Sequence, residues 1–228
     1  MGFAFYRSSR EQVIGGAGRL LYQLTAAELG STPVFPTKIS DIMNTSNFAA
    51  QVANGWRDFG QTNDGITISR AVSMTTWDTD QVTEVVEAID RWTHTLATNL
   101  AEMSLENLQL AWEGGTITAV SGGLPGERYL PFGIPSTLTA RRIAVLFRDR
   151  YGYLHAWVFR EAQLNTMGET AFTRGTMQTL PCTWKLFADT AINDENDQTF
   201  RYYTDKPATT STSTTTSTSS STSTTTTP

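Results

Sequence analysis

Cysteine, histidine and charge are all scarce in this chain of 228 residues, and each scarcity removes a class of function. Cys182 is the single cysteine. A lone thiol forms no disulfide within the chain, which excludes a disulfide-stapled secreted domain and makes a reducing compartment the simpler expectation. The only two histidines, His94 and His155, lie far from each other and from Cys182 in the chain. That is a poor start for a zinc site, which draws on about four Cys, His or carboxylate ligands. No stretch approaches the roughly 20 apolar residues of a membrane-spanning helix, and residues 1–10 hold no continuous apolar run such as a secretory leader needs. Basic residues are not in excess either: 17 Lys and Arg against 22 Asp and Glu give a net charge of −5 and a pI near 5.1. Tight binding of nucleic acid through many phosphate contacts is therefore disfavoured. The charged fraction is 17%, where about a quarter is usual for a soluble domain. The deficit points to surface reserved for other subunits.

What is present is enough for a core. The apolar fraction is 39% with 11% aromatics, and the length suits one domain. We assign that domain to residues 1–206 and a tail to residues 207–228. Residues 209–227 are all Ser or Thr; they have nothing to bury against the entropy of ordering and are expected to be disordered.

The pattern along the chain predicts a mainly β fold with one short helix and long loops. Ile66, Ile68 and Val72 alternate with Thr67, Ser69 and Ser73, the period-two signature of a strand with one buried face. A first strand is expected over residues 19–24, and further extended segments over 92–101 and 176–188. In the last, Leu180, Cys182, Trp184, Leu186 and Ala188 share one parity. Residues 141–148 and 153–161 predict a hairpin about Asp149, Arg150, Tyr151 and Gly152, whose glycine supplies a positive φ. Ser104 is placed to cap a helix with Leu105, Leu108 and Trp112 near one face and Glu106 in its first turn, stopped by Gly114 and Gly115. Residues 30–64 are expected to be a long loop with a role in binding or in contact with a neighbour, and residues 121–135 a second connection.

Candidate chemistry is thin. Asp78, Asp80, Glu84, Glu87 and Asp90 could be paired carboxylates for acid–base work or cation binding, but such a series is more simply a solvated acidic loop or rim. Gly15, Gly16 and Gly18 resemble a phosphate-cradling loop only faintly, since no Gly-Lys-Ser/Thr follows. No Gly-x-Ser-x-Gly elbow is present to organise a serine nucleophile with either histidine. Cys182, among apolar parity neighbours, is expected to be a core thiol. Trp56, Trp77, Trp92, Trp112, Trp157 and Trp184 are numerous enough for a sugar platform, though core and interface packing explains them as well. The chain is not expected to be an enzyme, and no cofactor or metal is expected.

The order of the pieces resembles the major tail tube proteins of long-tailed bacteriophages. The resemblance runs through Gly16 to Tyr22, through Gly55 to Ser69 (Gly-Trp-Arg-Asp-Phe-Gly-Gln-Thr-Asn-Asp-Gly-Ile-Thr-Ile-Ser), Asp80-Gln81, the threonine-rich segment 93–101, and Ser104 to Leu108 with the Gly114-Gly115 stop. It continues in the 141–161 hairpin and the 180–189 segment, and covers most of residues 15–189. The resemblance implies a β-sandwich flanked by a helix, six copies closing into a ring through an inner β-barrel, and rings stacking into a tube through which phage DNA passes unbound. It implies a virion tail component assembled in the host bacterial cytoplasm, with partners in the tape measure protein, the tail terminator and the tail-tip or baseplate proteins, and no membrane role. Asp78, Asp80, Glu84 and Glu87 then become candidates for the lumen wall or its rim, where weak repulsion keeps DNA mobile. Trp56, Asp58 and Asn63 become candidates for an inter-ring loop. The competing class is a secreted or surface carbohydrate-binding β module joined to a Ser/Thr linker.

Overall fold

The computed structural model describes residues 18–79, 82–102, 104–134, 136–169 and 178–207, without the side chains of 76–79 and 82–87. The fold is mainly β. Its strands are β1 (Arg19–Gln23), β2 (Trp56–Asp58), β3 (Thr62–Thr79), β4 (Val82–Leu100), β5 (Thr118–Ala119), β6 (Arg128–Tyr129), β7 (Arg141–Arg148), β8 (Leu154–Met167), β9 (Leu180–Phe187) and β10 (Phe200–Thr204). Two helices accompany them among the described residues, α1 (Ala26–Leu29) and α2 (Leu105–Ala111), where the sequence predicts only the second. Eight strands form one antiparallel sheet in the order β2-β1-β7-β8-β9-β4-β3, with β10 paired to β8; β5 and β6 make a separate two-stranded ribbon.

The predicted hairpin is present as β7 and β8. Gly152 sits at φ 89° in its turn, and the Asp149 carboxylate fixes that turn by accepting the N–H groups of Tyr151 and Tyr153, each at 2.9 Å. β9 keeps the predicted alternation, with Leu180, Cys182, Trp184 and Leu186 buried. Residues 176–177 lie outside the described residues, as does the tail from 208 onward.

The strands at the centre of the sheet bury both faces. On one, Leu20, Tyr22, Ile143, Val145 and Phe159 meet Leu96, Leu180 and Trp184 of strands further along the same sheet. This is possible because the sheet curls: Phe59, just past β2, touches both Tyr22 and Trp184, with ring centroids 4.7 and 5.6 Å apart. α2 seals the end of this core with Leu108 and Ala111. Ser104 caps it as predicted, accepting the Asn107 N–H at 3.1 Å. The helix stop differs from expectation, since the left-handed residue is Glu113 (φ 48°). A Cβ at Gly114 would lie 2.9 Å from the Leu130 side chain, which would have to shift to admit it.

The other face of the sheet is covered by the segment predicted as a long loop. Ile39, Ile42, Met43 and Trp56 pack on Leu21, Ala144, Leu146, Leu154 and Val158 to form a second core cluster. Much of the 30–64 segment therefore folds onto its own sheet. Truncating a fully buried residue here, such as Ile42, costs about 2–5 kcal/mol by cavity formation.

Candidate assembly surface

β3 and β4 form the longest hairpin of the chain, and its outer part stands clear of the sheet. β9 pairs with β4 only from His94 to Leu100. Beyond His94, towards Val82, β4 pairs only with β3 among the described residues, and the outer edge of β3 is unpaired along its length. Of the acidic residues predicted as a solvated loop or rim, Asp78, Glu84, Glu87 and Asp90 are thus on strand backbone that carries the ribbon outward, with Thr79 paired to Val82. A two-stranded ribbon alone is at best marginally stable in water, and its free edges present unpaired N–H and C=O groups ready to accept another chain.

The two faces of the ribbon differ sharply. Cross-strand partners share a face, so the pairs Ile68–Leu96, Arg70–His94 and Val72–Trp92 stand together. The register then shifts from Ser73–Arg91 to Met74–Ile89, leaving Asp90 as an extra residue in β4. That bulge resets the parity of β4 and brings Ile89 onto the same side as Trp92. The result is an apolar stripe in which Ile68, Val72, Met74, Ile89 and Trp92 remain 36, 41, 54, 54 and 47% exposed. The alternation predicted for residues 66–73 is correct, but the face it marks joins the core only at its foot, through Ile66 and Leu96, and Ile68 and Val72 remain exposed. The opposite face carries Thr67, Ser69, Ala71 and Ser73 beside Arg91, Thr93, Thr95 and Ala97. Among these eight, Arg91 is the one charged residue and the others are small.

At the foot of the ribbon the stripe opens into a cleft of about 780 Å³. Arg70 lies over the Trp92 ring, its guanidinium carbon 4.2 Å from the centroid. His94 is 8% exposed, and its Nε2 has no hydrogen-bond partner. Burial, reinforced by the positive charge of Arg70, holds its pKa below the usual histidine value, so the neutral ring is favoured.

Of the other residues singled out by sequence, Asp78, Glu84 and Glu87 lie on the ribbon backbone, and Asp80 is outside the described residues. Trp56 is 0% exposed and offers a neighbour no surface, which removes it as an inter-ring contact. Asp58 pairs with Arg19, and the half-buried Asn63 bonds Asp64 at 3.1 Å. Cys182 is a core thiol as expected, its pKa pushed up to about 12 by burial. His155 is buried on β8 with its Nδ1 against the Tyr202 hydroxyl, while its Nε2, 3.5 Å from the Asp149 carboxylate, makes no hydrogen bond. Among the described residues no three His, Cys, Asp or Glu side chains are grouped to hold a metal ion. Trp56 and Trp184 are core residues, Trp92 lies under Arg70 and Trp112 leans on Phe132. Among the described residues no helix is long and apolar enough to cross a membrane.

No protein-family model matches the chain, and no curated protein matches it. Among solved structures, one similar chain comes from the cryo-EM structure of the anti-feeding prophage baseplate, six-fold symmetrised. The two are 12% identical with a TM-score of 0.38, over 84% of this chain and 95% of that one. At that distance the likeness says nothing about a shared role.

Proposed function

We propose that this chain is a structural subunit that closes with copies of itself into six-fold rings, stacked into the tail tube of a long-tailed phage as the conduit for its DNA. The observation that carries the proposal is the ribbon of β3 and β4, which leaves the sheet with a free edge and an uncovered apolar stripe. A neighbour's sheet supplies what both lack. Such a contact joins two different surfaces, and a heterologous contact that closes by rotation makes a ring. Joining the ribbons edge to edge turns several exposed edges into a closed barrel.

Packing the apolar stripe outward against the subunits turns the opposite face to the lumen. That face, Thr67, Ser69, Ala71, Ser73, Thr93, Thr95 and Ala97, offers hydroxyls and methyl groups with Arg91 as its one cation. A wall of that kind gives a polyanion little to hold. Asp78, Asp80, Glu84 and Glu87, at the outer end of the ribbon in sequence, are proposed for a rim where like charge repels DNA. The role is non-catalytic. Partners follow from it: further copies of the chain, the tape measure protein within, the terminator and tail-tip or baseplate proteins at the ends, in a virion tail assembled in the bacterial cytoplasm.

Negative-stain electron microscopy of the purified chain over a concentration series tests the proposal. Six-fold rings or hollow tubes are expected. Single subunits at every concentration, with and without a tail-tip initiator, overturn it and favour the carbohydrate-binding module.

A further inference from the structure

We infer that the cleft at the foot of the ribbon is the receptor for a carboxylate side chain from the acidic hairpin segment of a second copy. This inference rests on the self-assembly proposed above and names the contact that orders it. Three features of the cleft converge. Arg70 is an exposed cation whose contact among the described residues is the Trp92 ring, with no carboxylate paired to it. Across the ladder from it stands His94, more than nine-tenths buried, lining the same cleft with an unpartnered Nε2. Asn196 and Gln198 line the cleft with Phe200, as do the cation Lys185 and one carboxylate, Glu195, which leaves the lining with an excess of positive charge. A buried imidazole nitrogen without a partner forgoes a hydrogen bond. A carboxylate reaching between Arg70 and His94 accepts from both, and the contact with Arg70 is the stronger, charge-assisted kind. A neutral His94 protonated on Nε2 is the donor this arrangement needs.

The occupant is set by charge. Residues 74–90 contain Asp78, Asp80, Glu84, Glu87 and Asp90 and neither Lys nor Arg. Glu87, paired with Thr76, is six residues along the strand from Arg70, about 20 Å at roughly 3.3 Å per residue, and Asp78, Asp80 and Glu84 are further. These four do not reach their own cleft, whereas Asp90, at the bulge beside Ser73, is nearer and is not counted among the donors. Those four carboxylates can come only from another copy. Since the donor lies towards the tip of the ribbon and the receptor at its foot, each copy gives at one place and receives at another, and the contact propagates from copy to copy.

Three forms of the full chain test the inference: Arg70→Glu, the triple variant Asp78→Lys/Glu84→Lys/Glu87→Lys, and their equimolar mixture. Each is checked for a native near-ultraviolet circular dichroism spectrum and then followed by sedimentation and electron microscopy. Neither variant alone is expected to assemble at the concentration at which the unmodified chain does, with a critical concentration raised about tenfold or more. The mixture is expected to assemble, since each acidic segment then finds a basic cleft and each basic segment an acidic one. Arg70→Lys is expected to retain assembly. Normal assembly of Arg70→Glu alone overturns the cleft contact and leaves the tube proposal standing, and failure of the mixture overturns it too. Absence of assembly by the unmodified chain overturns both.

Discussion

Replacing Val72 and Met74 by Asp separates assembly from folding. Both side chains stand on the uncovered stripe, 41 and 54% exposed, so the isolated subunit has little packing to lose there. Its stability should fall by less than about 1 kcal/mol, the scale of strand propensity and exposed-site effects. Assembly should suffer far more. Burying a Val or Met side chain completely is worth about 1.5–3 kcal/mol, so covering the exposed half of each contributes about 1 kcal/mol, or about 2 for the pair. Setting two carboxylates in the same contact without partners adds a desolvation cost of at least about 2 kcal/mol. The sum, about 4 kcal/mol per contact, is roughly a thousandfold in association constant. Thermal unfolding of the dilute subunit and sedimentation at rising concentration measure the two quantities side by side. Ser73→Asp, on the opposite face of the same strand, is the control and should still assemble. Assembly of Val72→Asp/Met74→Asp at the concentration of the unmodified chain would refute the assignment of the stripe to an interface.

Other predictions concern the fold beneath the ribbon. Asn107 is 3% exposed and donates from Nδ2 to the carbonyls of Phe59 and Glu102, both at 2.8 Å; Asn107→Leu should cost about 2–4 kcal/mol by stranding two carbonyls, read as a lower midpoint in urea. Cys182, with its pKa pushed up to about 12, should resist a disulfide reagent at neutral pH until the chain is unfolded in denaturant. Burial pushes the Glu28 carboxyl up, but hydrogen bonds from Arg141 and Thr25 outweigh it and bring its pKa down to about 2. Its folded value lies below its unfolded one, so its contribution is complete above the ordinary carboxylate range and is lost as pH falls from about 4.5 towards 2. Glu28→Gln should flatten the acid limb of a stability–pH curve over that window and leave neutral pH nearly unchanged in slope.

The local elements were legible because each one's signal lies within a few residues. The turn of β7 and β8 needs only Asp149 and Gly152, α2 needs Ser104, and β9 alternates cleanly. The ribbon was half legible. Alternation marks Ile66, Ile68 and Val72 as one face, but it carries no information about whether that face meets its own core or another chain's. The length of β4 was concealed by the extra residue at Asp90, which breaks the period midway, and by acidic residues that suggest a loop. β2 and β10 were missed for another reason. Each is five residues or fewer and takes its order from a partner distant in sequence, as in the pairing of Tyr22 with Arg57 and of Tyr202 with Trp157. The cleft left no sequence signal, since Arg70 and His94 become neighbours only through hairpin register.

The extra residue at Asp90 also governs how this arm can change over generations. Loss of that one codon would leave Arg91 and Ile89 as neighbours opposite Ser73 and Met74, a regular ladder in which every side chain of β4 keeps its present side. A single in-frame deletion between Ile89 and Val82, with the bulge kept, would instead carry every β4 residue beyond the gap to the other flank. The arm's sidedness is held by spacing as much as by composition, and insertions or deletions are the mutations to which it is most exposed.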